Sequence, residues 1–507
     1  MSDRRSGATP AARRTVLLVV LAALALVLGG HGLVRAGSGL HTRQVTVNGV
    51  PMTEVRTGAE PGRRPGVVIA HGFAGSARLM RPIADTVARR GAVALLLDFA
   101  GHGANPARLP GAGRDSAASR ATLAGDLDVA VAHLRGRPDV DPARIVLVGH
   151  SMGAGAVTRY AAGHPELAGT VAISLPDAGD LPYGQPRSLT LVVGAAEFPG
   201  FHRAAEEALR RAPPGQRAIT VVPATEHVSV LFAARTHEVV AGALPGAPDG
   251  PPPEPAVRLG AAGLLLLGFG LGFVPLVRVL HGARRDGPPV AAVAGWRPPV
   301  AGIVAAALGA VAAVASPTVR LPLAVGGYVT GFLLATGLLL VAATRWWPGP
   351  TVPAASAGPA VASGGGRGPV PAPVAAVVLT GYAVTAVAVP MHLGLTSALP
   401  VGARWWLLPV VSLGALVFLA GAERATGGRS WWYATVGGIA VLALTAAGVV
   451  GLAPGFVLLV VPLFAVLMGW QAAWAGVLRR SGAPRWLPAL VGAALLAWPV
   501  ATTLPLR

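Results

Sequence analysis

Cysteine is absent from the 507 residues, and so is lysine: all 41 basic residues are arginine. Without a thiol the chain can form neither a disulfide framework nor a thiolate metal site. The arginine-only usage, beside 68 Gly and 46 Pro, reads as a compositional habit. Charge of either sign is scarce, at 12% against about 25% in an ordinary soluble domain. Carboxylates are scarcest late in the chain. Residues 258–507 hold 15 Arg but only Asp286 and Glu423, whereas residues 1–257 hold 26 Arg and 20 acids. Apolar residues fill the gap, with a hydrophobic content of 53% and a mean hydropathy of +0.59. A single soluble body is excluded, and a lipid-embedded second half is expected.

A formal net charge of +19 would suit nucleic acid if the basic residues clustered on one face among polar or aromatic groups. The C-terminal arginines instead stand singly or in pairs between apolar runs, the pattern of membrane flanks. The expected partner is therefore the lipid bilayer and not nucleic acid.

The chain divides into four parts. Arg4, Arg5, Arg13 and Arg14 precede an apolar run at 15–30, shorter than the roughly 20 residues that a spanning helix needs. Residues 1–36 are read as a signal anchor, with a cleaved secretory signal as the alternative, since Val34-Arg35-Ala36 is an imperfect small-residue cleavage site. Either reading places the next segment outside the cytoplasm. In residues 43–246 short β-branched runs alternate with amphipathic stretches, the signature of a parallel sheet wrapped by helices. Strands are expected at 66–70, 92–97, 145–149, 170–174, 189–193 and 218–222, and helices at 76–90, 117–135, 152–163 and 201–212. Residues 247–256 form a Pro-rich, extended linker.

Residues 257–507 read as a helical membrane domain of about eight spans, near 258–280, 299–316, 321–343, 371–391, 405–422, 431–452, 455–477 and 486–503. The Gly/Pro/Ser/Ala stretch 348–370 is a loop. Trp346, Trp347, Trp405, Trp406, Trp431 and Trp432 fall at span ends, where indoles anchor at the lipid–water boundary. With the N-terminus cytoplasmic and the spans alternating, inside loops receive eleven Arg. Outside segments receive four: Arg258, Arg320, Arg404 and Arg507. The bias of basic residues towards the inside sets orientation, so residues 43–246 are expected at the outer face of the cytoplasmic membrane.

The chemistry concentrates where strand 145–149 meets a helix, at Gly149-His150-Ser151-Met152-Gly153. In G-x-S-x-G the nucleophile sits on a strained strand-to-helix turn, and side chains at the flanking positions would collide. One module earlier, strand 66–70 runs into His71-Gly72-Phe73-Ala74-Gly75, a small turn whose backbone can face a developing oxyanion. The N–H groups of Phe73 and Met152 are the expected donors.

Together with Asp98-Phe99-Ala100-Gly101-His102-Gly103, these motifs make residues 43–246 resemble the α/β-hydrolase superfamily. The likeness is to its dienelactone-hydrolase-like and acylglycerol-lipase-like serine esterases, over about two-fifths of the chain. The resemblance implies a triad in the order Ser, acid, His. It places the general base at His227, in the loop after strand 218–222, rather than at His202 or His237, which read as surface residues. It places the acid three residues after Gly194, at Glu197, with Asp177 as the rival position. Glu226 reads as exposed, and Asp98 and His102 as loop-shaping residues.

The 15 or so residues between strands 170–174 and 189–193 leave no room for a helical lid, which suggests an open or shallow acyl pocket. Few polar groups fall in the spans: Gln471, scattered Thr, and His392 near a span end. No acid falls inside one, so a coupled transporter is disfavoured. The expected protein is a membrane-anchored serine hydrolase acting on a small-molecule or lipid carboxylic ester, with no metal or organic cofactor. The alternatives are a non-enzymatic membrane protein using the fold for binding or assembly, and a lipid-handling transporter with a regulatory hydrolase domain. Oligomeric state is left open.

Overall fold

The computed structural model describes residues 10–58, 62–113, 115–246, 250, 253–282, 295–346 and 370–507. Arg4, Arg5, Arg284, Arg285, Trp347, Arg367, half of the 247–256 linker and nearly all of the 348–370 stretch lie outside the described residues. The chain separates into two compact units. One contains Leu28–Gly263, Pro390–Ala403 and Thr502–Arg507; the other contains Met1–Val27, Leu264–Val389 and Arg404–Ala501.

The first unit is built on an eight-stranded sheet of order β1-β2-β4-β3-β5-β6-β7-β8. β1 (His41–Val47) and β2 (Val50–Arg56) form an antiparallel hairpin. It turns at Asn48-Gly49, both at positive φ (47° and 81°), the geometry that Asn-Gly favours in two-residue hairpins. This hairpin is additional to the strands expected from the hydrophobic pattern. β2 pairs antiparallel with β4 (Val93–Leu97). From there β3 (Arg64–Ala70), β5 (Val140–His150), β6 (Gly169–Ile173), β7 (Leu189–Gly194) and β8 (Arg217–Val222) run parallel.

The central strands are continuous apolar runs because both of their faces are covered, as parallel sheets require. Alternate residues point to opposite sides. Val67, Ile69, Leu96 and Val148 pack with Ile83 and Val87 of α2 (Arg81–Arg89) and Val240 of α6 (Ala234–Gly242). Val68, Leu95, Leu97 and Leu147 pack with Leu127 and Val131 of α3 (Ala117–Arg135) and Val157 of α4 (Met152–Ala162). α5 (Pro199–Arg210) comes after β7. The helix expected from residue 76 begins only at Arg81, where Pro82 supports the first turn. That leaves 71–80 as a loop. All parallel strands end at one edge, so the segments after β3, β4, β5, β6, β7 and β8 converge there.

The second unit is helical. It is built from the start of α1 (Pro10–Gly37), most of α7 (Val257–His281), α8 (Arg297–Ala315), α9 (Gly326–Trp346), most of α10 (Ala372–Gly394), α11 (Arg404–Thr426), α12 (Ser430–Val449), α13 (Val457–Arg480) and most of α14 (Leu487–Thr503). Among the described residues, eight helices are long and apolar enough to cross a membrane, and α14 is a shorter apolar helix. The protein is thus a multi-pass membrane protein. α1 extends well beyond the apolar run, and Val34-Arg35-Ala36 lies within it.

Small residues let the helices approach closely: a Cβ on Gly337 would stand 2.5 Å from the Phe418 nitrogen, and one on Gly421 2.5 Å from the Gly337 carbonyl. One expectation fails here. Glu423 does lie inside an apolar helix, because α11 continues to Thr426, and its carboxylate is buried 2.6 Å from Arg479.

Candidate active site

Ser151 is the hinge between β5 and α4, and its φ is +53°, a region that residues with a side chain rarely occupy. Such strain persists only where the surroundings enforce it, and here they do. A Cβ on Gly153 would stand 2.5 Å from the carbonyls of both Ala70 and His71, and one on Gly149 would strike the Gly153 carbonyl. The two glycines are what let the turn close against β3, projecting Ser151 beyond the sheet edge.

His227 arrives from the loop after β8. Its Nε2 lies 3.0 Å from Ser151 Oγ and its Nδ1 3.2 Å from Glu197 Oε2. Donation of Nδ1–H to the carboxylate leaves Nε2 free to accept the serine hydroxyl proton, the tautomer that this network selects. Phe201 of α5 stacks on the imidazole, with centroids 4.4 Å apart and planes 28° from parallel. His150, immediately before Ser151, holds the same loop: its Nε2 is 2.8 Å from the His227 carbonyl. Burial, and then repulsion from His227, push the His150 pKa down to about 3, so its ring is neutral and donates Nε2–H to that carbonyl.

Glu197 stands three residues beyond Gly194, the last residue of β7. Its Oε1 accepts from Ser174 Oγ at 2.7 Å and from the Gly194 N–H at 2.8 Å. Burial opposes its ionisation, but the hydrogen bonds from His227, Ser174 and Gly194 outweigh that, and the pKa falls below the usual range. The residue is a fixed carboxylate. Ser174, just past β6, is itself at positive φ, +55°.

The Phe73 loop lies against the elbow. A Cβ on Gly72 would meet His150 Nδ1 at 2.9 Å and Ser151 Cβ at 3.0 Å. Met152 opens α4, so its N–H is one of the donors that a helix start leaves without an intrahelical partner.

The other candidates are dispersed. Asp177 is exposed, and its carboxylate receives the Gly179 N–H at 3.3 Å. Glu226 is exposed and caps the turn at His227, accepting from Val228 and Ser229. His202 is half-buried on α5. His237 is not a surface residue: it is fully buried between Thr86 Oγ1 at 2.6 Å and the Leu231 carbonyl at 2.9 Å. Asp98 receives the N–H groups of Ala77 at 2.7 Å and Ala104 at 2.9 Å, and the His102 ring lies beside those of His71 and Phe73. Among the described residues no cluster of three or more His, Asp or Glu is arranged to hold a metal ion.

Sequence reasoning assigned no role to His150, Ser174 or Phe201. A signal existed for Ser174 alone, as a hydroxyl at the end of a parallel strand on the functional edge.

Comparison with known proteins bears on the same region. Residues 62–193 match a family model described as serine aminopeptidase, S33. An uncharacterized protein of Mycobacterium tuberculosis, found in two strains, is 35% identical over 107 residues, which is 21% of this chain. The match spans only 35% of the length of those relatives. Among solved structures, a hypothetical protein of Pseudomonas aeruginosa aligns with 40% of this chain and 93% of its own, at 14% identity and a TM-score of 0.34. A dienelactone hydrolase of Anabaena variabilis aligns with 40% and 96%, at 19% identity and a TM-score of 0.32.

Proposed function

We propose that residues 43–246, which have the α/β-hydrolase fold and contain the family-matched stretch 62–193, form a serine hydrolase that cleaves carboxylic esters. One observation carries the reading: the strained Ser151 presents its hydroxyl 3.0 Å from an imidazole whose far nitrogen faces a buried carboxylate. Nucleophile, base and orienting group stand in the geometry that activates a serine.

Ser151 Oγ attacks the ester carbonyl as its proton passes to His227 Nε2. Negative charge then develops on the carbonyl oxygen, where the Phe73 and Met152 N–H groups stabilise it. Glu197 holds the imidazole and balances its cation. Collapse returns the proton from Nε2 to the leaving alcohol and leaves Ser151 acylated. Water, deprotonated by His227, then releases the acid and restores the serine.

Residues 174–188 contain no helix, and the exposed apolar side chains Phe198 and Val228 flank Glu197 and His227 in the sequence. Both features support an open acyl site suited to small or lipid-derived esters. The arginine distribution supports action at the outer face of the cytoplasmic membrane, with the helical unit as anchor. The matched family's description also makes aminoacyl amides a substrate class to compare.

The test is labelling of purified full-length protein with a fluorophosphonate, then turnover of p-nitrophenyl butyrate and an aminoacyl p-nitroanilide. Labelling lost in Ser151→Ala, with the ester turned over faster than the anilide, is expected. An intact protein left unlabelled beside a reactive control hydrolase would refute the reading and favour a non-enzymatic role. Preference for the anilide would move the substrate class to amides.

A further inference from the structure

The sheet's compact unit includes two segments from far along the chain, Pro390–Ala403 and Thr502–Arg507. The first fastens the loop beside Ser151, and the second fastens the loop after β4. Ser76, three residues after Phe73 and 1% exposed, has its Oγ 2.9 Å from Thr396 Oγ1 and accepts the Ser397 N–H at 3.0 Å. Thr396 and Ser397 are themselves buried, and the Thr396 N–H closes back on the Met391 carbonyl at 2.8 Å. On the second loop, the Leu506 N–H reaches the Gly101 carbonyl at 2.8 Å, and the Leu506 carbonyl receives the Leu109 N–H at 3.0 Å. The bracket is close-fitting, since any Cβ on Gly101 would strike Leu506.

The two loops are tied to each other as well. Asp98 receives the Ala77 N–H at 2.7 Å, and His71 Nε2 receives the Phe99 N–H at 3.1 Å. His71 Nδ1 then donates to the Gly72 carbonyl at 2.8 Å, and Gly72 lies against Ser151. A continuous set of hydrogen bonds and contacts thus runs from Thr396 and Ser397 to the loop bearing Phe73.

We propose that Thr396 and Ser76 are positioning residues for oxyanion stabilisation: the 395–398 turn holds the 72–77 loop with its N–H aimed at the reacting carbonyl, and Leu506 holds the partner loop. The catalytic unit would then comprise residues 43–246 together with these two late segments. A glycine-bearing loop has many backbone conformations available, and preorganised donors act only if they need not reorganise during reaction. A buried Ser–Thr pair, with a backbone donor on the same hydroxyl, supplies that rigidity. The catalytic part of this inference rests on the serine-hydrolase reading; the pinning of the loop does not.

The experiment uses full-length protein with Ser76→Ala, Thr396→Val and the hydroxyl-keeping Thr396→Ser. Hydrogen–deuterium exchange of the 72–77 peptide reads the pinning, and p-nitrophenyl butyrate kinetics read its consequence. Ser76→Ala and Thr396→Val should speed exchange and lower kcat about 10-fold, less than the loss on removing an oxyanion donor outright. KM should stay within about twofold and the pH profile unmoved, because neither residue touches His227 or the substrate. Thr396→Ser should behave as wild type. If Ser76→Ala does not fold, Thr396→Val carries the test from the other side of the bond. Unchanged exchange in the folded variants overturns the proposal, and so does a loosened loop with unchanged kcat. A wild type that neither labels nor turns over ester would sink the hydrolase reading instead, and exchange would still report the pinning.

Discussion

His150 Nε2 lies 2.8 Å from the main-chain carbonyl of His227, so the residue preceding Ser151 supports the loop that carries His227. Deleting this donor leaves the buried carbonyl unpaired and the imidazole held chiefly by Glu197 and Phe201. His150→Phe should therefore lower kcat/KM for an ester about 10-fold, on the scale of a lost buried hydrogen bond. The acid limb of the pH–rate profile should keep its midpoint, because a neutral ring exerts no charge on His227. A shifted midpoint in His150→Phe would mean that His150 titrates with the site.

Buried His150 and His237 each contribute to the first unit's response to acid. Burial, reinforced for His150 by repulsion from His227, holds the pKa of His150 near about 3, and burial holds that of His237 near about 4. In the unfolded chain both titrate near 6.5. Below that pH these two rings bind up to two more protons in the unfolded chain, so their contribution to stability falls as pH falls. Buried His71, its pKa also lowered, acts in the same direction, and Asp126, which burial pushes up to about 6, acts against them. The contribution of His150 and His237 is whole above pH 6.5 and drains away towards pH 4, by up to about 1.4 kcal/mol per pH unit for each ring. Hydrogen exchange of β5 and α2 amides in the full-length protein should report this slope. His150→Phe should make it shallower between pH 6.5 and 4.5, and a slope that this variant leaves unchanged would refute the assignment.

The carboxylate on the imidazole belongs to Glu197, while Asp177 is exposed elsewhere. Glu197→Gln keeps the volume but removes the charge that balances His227 and invites the wrong tautomer. On the proposed triad its kcat should fall about 1,000-fold or more, with KM little changed, the scale for neutralising a triad acid. Asp177→Asn should stay within about twofold of wild type, the range of an exposed substitution. Equal losses in the two variants would remove Glu197 from the proposed triad.

The elbow was legible because backbone crowding dictates its sequence: Gly149 and Gly153 are the residues that leave room for the turn, and the flanking strand and helix have the matching hydrophobic patterns. The β1–β2 hairpin carried a readable Asn48-Gly49 signal, yet its polar outer strand lacks the apolar run that marks the others. His237 was misread because its burial depends on Thr86, a partner 151 positions away, which no local pattern reveals. Phe201 escaped for the same reason, acting across elements that meet only in the folded sheet, whereas Ser174 carried a readable signal as a hydroxyl at a strand end. The membership of Pro390–Ala403 and Thr502–Arg507 in the first unit was equally hidden, since their composition matches the spans that they adjoin. Glu423 was lost to a helix boundary: the span read as 405–422 stops one residue before it.

That same Glu423 allows a test of the helical unit. Its carboxylate lies 2.6 Å from Arg479, whose guanidinium also packs over the Tyr433 ring at 4.7 Å and reaches Ser430 Oγ at 3.3 Å. Both charged side chains are mostly buried, at 10% and 14% exposed, so removing one strands the other. Glu423→Gln should destabilise the unit by about 3 kcal/mol, the scale for breaking a buried pair. The double variant Glu423→Leu/Arg479→Leu, which removes both desolvation penalties, should recover most of that loss. Thermal unfolding in detergent reads both, because the tryptophans lie from Trp296 onward and report this part of the chain. A double variant as unstable as the sum of its singles would show that the two charges act independently and that the pair contributes no coupling.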